Sequence, residues 1–541
     1  MKWIGAKTPN TGYSSVKELI AARHLEETES EIINLNKAVD ILKDHKGPIL
    51  IVGDYDVDGI MASAIMYIGL KKAKYKNVKV RLPKRIAEGY GISTKIIDEI
   101  TEPDTLIITV DNGISAVEPI RLAKDRGYKV IVTDHHQPPK GDLPPADIIV
   151  DPHLTGGEYV DFCGAGLALM FVEKLLGKGN ADKLYPYAYF ATIADVVPLT
   201  GDNRRICRKG RNQVLPKSVK FLMEKLQVDP EHYTEEDLKF SINPSINAIS
   251  RIEDNAEVAF RLFTSTKDDE MVMLADQLVN ANVDRKKLSM EHMQLAEEII
   301  EAYCMFGDSP MILELPDAKL GIIGIIAGKI AEEYNVPVIV LTKNNGILKG
   351  SARVPATVEY NIKEALDDVS DLLIGYGGHK MAAGLSLRPE NIDELRAKMQ
   401  IKLEKKDRVG VFDLAIKEDE IPRIVEEIQQ YGPYGPGNEV PVVKIKNLKL
   451  VPKYGKFIHI IGDTQKAAKM FSPDCTILYF CEHPEDFSLE DTASLDVYGE
   501  LSVNWFRGMS EYQIILRDTP HKNEVKRSAL ADRLAARAAT Y

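Results

Sequence analysis

Residues 52–59 read VGDYDVDG and set three aspartates at alternate positions, Asp54, Asp56 and Asp58. The apolar run GPILIV precedes them and the helix-like IMASAIMYIGL follows. A buried strand that runs into a buried helix begins a βα unit, so this junction decides the fold class. It also poses a chemical question. Carboxylates this close repel and raise one another's pKa unless a cation lies among them. A single DxD at a strand end reads equally well as a turn or a helix cap. Its meaning therefore depends on what the neighbouring strands carry.

Working outward, the βα rhythm continues to about residue 200. The apolar runs ILIV (49–52), TLIITV (105–110), KVIVT (129–133) and DIIV (147–150) alternate with helical segments such as AVEPIRLAKDRG. Continuous β-branched runs separated by helices predict a parallel sheet covered on both faces. TLIITV runs into DNG, with Asp111, and KVIVT runs into DHH, with Asp134, His135 and His136. Ligand sites in open parallel sheets lie outside the carboxyl ends of the strands, so these groups share one rim. Asp195, in FATIADVVPL, follows an apolar helix-like run and closes the set. Carboxylates with imidazole and no thiolate suit Mn²⁺ or Mg²⁺ better than structural zinc. Five or six such groups exceed the needs of one ion with open positions. They fit two ions about 3.5–4 Å apart that clamp the attacking and leaving oxygens of a phosphoester. Asp134 is expected to cap or orient rather than ligate. Gly59 and Gly113 are expected as turn residues.

The rest of the chain divides by composition. Residues 1–46 read as an N-terminal helical segment with amphipathic helices over 14–46 (SSVKELIAARHL, EIINLNKAVDILKDH), and 211–304 as a helical connector ending in DRKKLSMEHMQLAEEIIEAY. A second α/β unit over 305–408 carries PMILEL, GIIGIIAGKIAEEY, PVIVLTK, KGSARV and IGYGGHKMAAGLSL. Short strands over 409–518, after the Pro/Gly-rich boundary YGPYGPGNEVP, predict a small β-barrel. Residues 519–541 form a basic Ala/Arg-rich tail, native or appended. At 541 residues the chain needs several domains, and it is 44% hydrophobic, 28% charged and 7% aromatic. No apolar stretch approaches the roughly 18 residues of a membrane span. The start lacks a signal-peptide core. Five scattered cysteines without CxxC pairs argue against zinc ribbons and disulfides, and for a reducing cytoplasm. A net charge of −12 leaves any nucleic-acid role to a local basic groove.

Two stretches of the second unit suit phosphate. Gly377, Gly378 and His379 let backbone amides approach closely, although such glycines are also common in turns. Lys349, Ser351 and Arg353 are donors suited to phosphate oxygens. In the barrel, Tyr454, Phe457, Trp505 and Phe506 lie among Lys453, Lys456 and Arg507, a mixture that suits base stacking or barrel core.

GDYDVDG, VDNG, TDHH and IADVVPL, in this order, resemble the motifs of the DHH phosphoesterase superfamily. GIIGIIAGKI, KGSAR and GGHKMAAG resemble its DHHA1 domain. The connector and the barrel after YGPYGPGNEVP resemble the RecJ branch, the 5′→3′ single-strand-specific exonucleases. The resemblance spans roughly 45–518. It implies a DHH parallel-sheet domain over 47–210, the connector, a DHHA1 α/β domain and an OB-like barrel. It makes Asp56, Asp58, Asp111, His135 and Asp195 metal ligands, with Asp54 a further or supporting carboxylate. His136 would sit beside the scissile phosphate, and the nucleophile would be a metal-activated water. The implied cofactor is a pair of Mn²⁺ or Mg²⁺ ions. The implied activity is degradation of single-stranded DNA from its 5′ end in recombination and repair. A cytoplasmic monomer is expected, with a single-stranded-DNA-binding protein or helicase as the kind of protein partner. Two departures stand out. Val52 occupies a position where many relatives carry His. PSINAISRI replaces a motif of the form RLNAxGR, with Ser245 and Ser250 for Arg and Gly. Asn247 and Arg251 remain as DNA contacts, so the departure bears on affinity and substrate preference more than on chemistry. The rival readings are a small-substrate phosphodiesterase, against which the barrel and connector argue, and a non-catalytic replication scaffold, against which the intact acidic and His set argues.

Overall fold

A computed structural model describes residues 2–154, 159–401, 409–462, 467–480, 494–506 and 509–518. The chain forms two compact units, one of residues 30–197 and 209–405, the other of residues 1–29, 198–208 and 406–541.

The larger unit opens with a five-stranded parallel sheet. Its spatial order is Val78–Arg81, Ile49–Val52, Leu106–Val110, Lys129–Thr133, Ile148–Val150. The chain therefore starts in the second position, adds one strand outward, and returns to add three on the other side. That reversal creates a switch point between Ile49–Val52 and Leu106–Val110, where sheets of this kind bind ligands. Every residue of Leu106–Val110 is buried, which is why that strand reads as an unbroken apolar run. The helix Val57–Lys72 is apolar on nearly all sides because it is buried on nearly all sides. Gly69 lets the helix Gly164–Leu176 close on it, since a Cβ there would meet Val172 at 2.4 Å.

Helices follow, including Asn243–Ile252 and the 35-residue Asp268–Ala302. A mixed sheet then runs Leu373–His379, Ala382–Leu387, Ile347–Arg353, Val338–Asn344, Met311–Glu314, antiparallel except for its last pair. The helix Leu320–Tyr334 covers it through Ile322, Ile326 and Ile330.

In the smaller unit, seven strands between Leu414 and Asp518 form one sheet around a core that includes Ile421, Val425 and Ile477. Among the described residues its outer strands, Leu414–Ile416 and His459–Ile461, do not pair with each other. Tyr454 is 96% exposed in a turn, whereas Phe457 packs against the core. Trp505 is partly exposed. The Phe506 side chain, Arg507 and the tail 519–541 lie outside the described residues.

Two boundaries differ from the sequence reading. The N-terminal segment 1–46 is not helical alone: ahead of its helices Lys2–Gly5 is a strand, parallel to Val409–Phe412. Trp3 holds it by stacking on Tyr498 at 4.4 Å and donating a hydrogen bond to Asp518. Helices occupy Val16–Ala22 and Leu35–Asp44. The span assigned to the first domain, 47–210, overruns, because residues 198–208 belong to the smaller unit. There the Leu199 amide donates to Pro436 O and Arg204 to Tyr431 O.

Candidate active site

The quoted stretch serves as turn, helix start and carboxylate cluster at once. Asp56 caps the helix Val57–Lys72 by accepting the Gly59 amide at 3.1 Å. A Cβ at Gly59 would lie 2.6 Å from the Asp54 backbone nitrogen, so only glycine lets the turn close. Asp54 is buried and accepts the Gly91 amide at 3.2 Å. Asp58 receives two amides from the start of the helix Gly164–Leu176, Gly164 at 2.6 Å and Ala165 at 2.7 Å. The positive end of that helix favours its charge.

Across the switch point, Asp111 adopts φ +61°, a left-handed conformation uncommon for a non-glycine residue. Its neighbour holds it there: the Asn112 side chain donates to Val52 O and Val110 O and accepts the Ile92 amide. His135 Nε2 then faces three carboxylates, Asp111 at 3.1 Å, Asp58 at 3.6 Å and Asp195 at 3.8 Å. Asp195 follows directly on the helix Tyr185–Ala194 as its C-cap. Three groups have ligand-capable atoms within 4.8 Å of one another: Asp54, Asp56 and Asp111; Asp58, His135 and Asp195; and Asp111, His135 and His136.

Charge in this cluster is unbalanced. Burial, and then the neighbouring carboxylates, push Asp54, Asp56 and Asp111 above the usual range. Burial, then Asp58 and Asp56, push Asp195 up to about 8. Burial keeps His135 neutral, with its pKa below the ordinary imidazole value. Buried carboxylate oxygens and one neutral imidazole nitrogen suit a hard divalent cation, which would neutralise charge that otherwise only protons can. The donor set therefore fits the expected ions. His136 is different. Burial opposes its charge, but the Asp134 hydrogen bond (2.8 Å) and the nearby carboxylates prevail and raise it to about 9. Asp134 is buried and orients rather than joining the three groups, accepting amides from His135, His136 and Ile114.

A second cluster is rich in cations that form no ion pair among the described residues. The Arg85 guanidinium lies 4.5 Å from the centre of the Tyr55 ring, and its buried Nη1 has no hydrogen-bond partner among the described residues. Arg251 and Arg353 are held below the ordinary guanidinium range by burial and then by Arg85; Asp56 partly offsets this at Arg251. Arg353 also donates to Ser351 Oγ at 2.9 Å. Guanidiniums packed together with a hydroxyl are donors short of an acceptor, which suits a phosphate. The sheet register extends the face. Ser351 pairs with Gly384 and Gly384 with Gly377, while Arg353 pairs with Ala382 and Ala382 with His379. Lys349 lies two residues before Ser351, so Lys349, Ser351, Arg353, Gly377 and His379 share one face. Gly378 falls on the other face, at φ +143°, where a Cβ would strike the Ala382 carbonyl at 2.4 Å. Asn247 Oδ1 is buried without a partner among the described residues.

The sequence reading missed Arg85 and Tyr90. Both lie in the loop LPKRIAEGYG after Val78–Arg81, a strand absent from the run of apolar segments because it alternates valine with Lys79 and Arg81. The Tyr90 hydroxyl donates to Asp111 O at 2.6 Å and lies 3.0 Å from His136 Nδ1. Glu88 fixes the loop through Arg81 and Lys95, and Asp254 accepts the Ile86 and Ala87 amides.

A parallel sheet with this acidic and His rim, followed by a second sheet carrying KGSAR and GGHK, defines a protein of the DHH class. Residues 48–196 match the model of the DHH family N-terminal domain, 308–405 that of the DHHA1 domain, and 412–518 that of the RecJ OB domain. The single-stranded-DNA-specific exonuclease RecJ of Haemophilus influenzae is 30% identical over 424 residues, covering 70% of this chain and 72% of that protein. The chain belongs to the RecJ family. The RecJ of Bacillus subtilis is 30% identical over 516 residues, and the match covers 90% of this chain but only 63% of that longer relative. Among solved structures, RecJ from Thermus thermophilus in complex with Mn²⁺ has a TM-score of 0.75 at 26% identity, covering 90% of this chain and 72% of that one.

Proposed function

We propose that this protein is a metal-dependent exonuclease that hydrolyses phosphodiester bonds of single-stranded DNA from the 5′ end, in recombination and repair. One observation carries the reading: buried carboxylates short of a cation lie beside buried guanidiniums short of an anion. The names of its relatives, single-stranded-DNA-specific exonucleases, support the substrate, and the Mn²⁺ complex of the Thermus protein supports the metal.

Asp54, Asp56, Asp58, Asp111, His135 and Asp195 hold two Mn²⁺ or Mg²⁺ ions. When bound, the ions supply Lewis acidity and lower the pKa of the attacking water. His136 is tied through Nδ1 to Asp134, so its imidazolium presents Nε2–H to a phosphate or a departing oxygen. Arg85, Ser351 and Arg353 grip the terminal 5′-phosphate, which sets polarity, while Asn247, Arg251, Lys349 and the Gly377–Gly378–His379 strand hold the backbone beyond it. The protein works as a cytoplasmic monomer, alongside a single-stranded-DNA-binding protein or helicase, and no described helix is long and apolar enough to cross a membrane.

The test is a time course on 5′- and 3′-labelled oligonucleotides with Mn²⁺, Mg²⁺ or chelator, with blunt duplex and a cyclic dinucleotide as comparison substrates. Mononucleotides released from the 5′ end of single strands support the reading. Turnover confined to the dinucleotide makes it a small-substrate phosphodiesterase, and inertness with both ions makes it a scaffold.

A further inference from the structure

The helix Asn243–Ile252 is almost wholly enclosed. Between Ile242 and Ser250 only Pro244 and Asn247 escape burial. Its packed faces are tied down: Asn243 donates to Phe190 O at 3.2 Å, and Ser245 Oγ receives Asn282 at 2.8 Å. The turn before it, Leu238–Ile242, is a π-helix, a form that concentrates at functional sites. That turn presents Phe240, 73% exposed. Phe240, Pro244, Asn247 and Arg251 follow at i, i+4, i+7 and i+11, so they form one stripe of exposed and partly exposed residues, with Lys239 exposed beside its Phe240 end. At 1.5 Å per residue the stripe is about 16 Å long. Its Arg251 end lies among Arg85, Arg353 and Asp56.

We propose that this stripe is the track of the incoming single strand, with the Phe240 ring as a stacking platform for a base several nucleotides from the cut. The proposal rests on the nuclease reading above. Its occupant is argued from continuity: the stripe runs out of the arginine cluster that suits phosphate, and the partly exposed Asn247 and Pro244 connect that cluster to Phe240. An exposed ring on a π-turn that leads directly into an enclosed helix stacks a base without having to be ordered first. Ser245 sharpens the point. It sits where the family motif carries arginine, and its hydroxyl is absorbed into helix packing, so the stripe grips by ring and amide rather than by added charge.

The experiment measures binding of the full-length protein to a 5′-phosphorylated 12-mer by fluorescence anisotropy in chelator, with one abasic residue moved along the strand. Phe240→Ala should weaken binding to the intact strand about tenfold, roughly 1.4 kcal/mol. Phe240→Trp should restore it. An abasic residue at one position should cost the wild type the same factor and cost Phe240→Ala nothing. The salt dependence should keep its slope, since no phosphate contact is lost. Wild-type affinity in Phe240→Ala, no position-specific abasic effect, or failure of tryptophan to restore binding would overturn the proposal and leave the ring to a protein partner. A parallel cleavage assay of the wild type with Mn²⁺ separates this from the parent reading: no release of nucleotides from single strands would sink the nuclease itself.

Discussion

Gly164 sits where two functions compete for the same space. It is the first residue of the helix Gly164–Leu176, and its amide donates to Asp58 at 2.6 Å. A Cβ added there would lie 2.4 Å from Asp111 Cβ and 2.8 Å from Asp111 Cα, about 1 Å or more inside ordinary contact. Neither neighbour is the end of a flexible side chain, so Gly164→Ala must displace either the strand end carrying Asp111 or the helix start holding Asp58. Overpacking of this kind costs about 1–3 kcal/mol of stability. A misplacement near 1 Å at reacting groups costs on the order of 10²-fold in rate. Gly69→Ala is the control. Its Cβ would meet Val172 Cγ2 at the same 2.4 Å, in the same helix pair but away from the carboxylates. Both variants should stay folded, with Gly69→Ala losing no more stability than Gly164→Ala in thermal or denaturant unfolding, because Val172 Cγ2 is a side-chain end that can yield. Only Gly164→Ala should lose turnover, by about 10²-fold per folded molecule, on a 5′-phosphorylated oligonucleotide with Mn²⁺. Equal turnover in the two variants would refute the argument that the helix start positions Asp58 and Asp111.

Asp111→Ala and His135→Ala should each abolish hydrolysis without unfolding the protein, and added Mn²⁺ should no longer raise the melting temperature as it does for the wild type; persistent turnover would remove the metal reading. Metal-free protein should lose stability as pH rises from about 4 to about 8. Asp195 titrates near 8 when folded, and Asp54, Asp56 and Asp111 are also raised, so the folded state holds protons that the unfolded chain has released. Saturating Mn²⁺ should flatten that slope, and melting curves at three pH values with chelator or Mn²⁺ decide it; a metal-free melting temperature that climbs over this range contradicts the charge assignment. Arg85→Ala should erase the preference for a 5′-phosphate over a 5′-hydroxyl end while leaving the protein folded, which initial rates on the two substrates will show.

Legibility in the sequence tracked burial. Central strands are covered on both faces, so LIITV and VIVT announce themselves as apolar runs, and the groups at their ends could be placed on a common rim by topology alone. The edge strand Val78–Arg81 has Lys79 facing solvent and Arg81 paired with Glu88 and Glu99, so it shows no such run. Once it was missed, the rule that strand ends carry the site could not reach Arg85 or Tyr90 in the loop that follows. A similar failure hid Lys2–Gly5, a short strand whose stability comes from Trp3 meeting Tyr498 near the other end of the chain. Spacing also left Lys349, Ser351, Arg353, Gly377 and His379 as two separate motifs. Only the strand register joins them on one face, and only the register sends Gly378 to the other.

The two charged clusters explain why neither collapses onto the other. Among the described residues, Arg85, Arg251 and Arg353 form no ion pair with the carboxylates close by. Each guanidinium is tethered elsewhere: Arg251 to Gly321 O, Arg353 to Ser351 and Ala352 O, and Arg85 over the Tyr55 ring. The carboxylates are equally fixed, Asp56 as a helix cap and Asp58 by two helix-start amides. Rigid elements thus keep apart carboxylates that hold protons for want of a cation and guanidiniums short of an acceptor, an arrangement that costs stability in the free protein. On the proposed function, a phosphate accompanied by divalent cations would relieve both at once, because its oxygens would accept from the guanidiniums while the cations neutralised the carboxylates. Either ligand alone relieves half of the imbalance. Cation and substrate should therefore each bind more tightly in the presence of the other, through the charge they complete together.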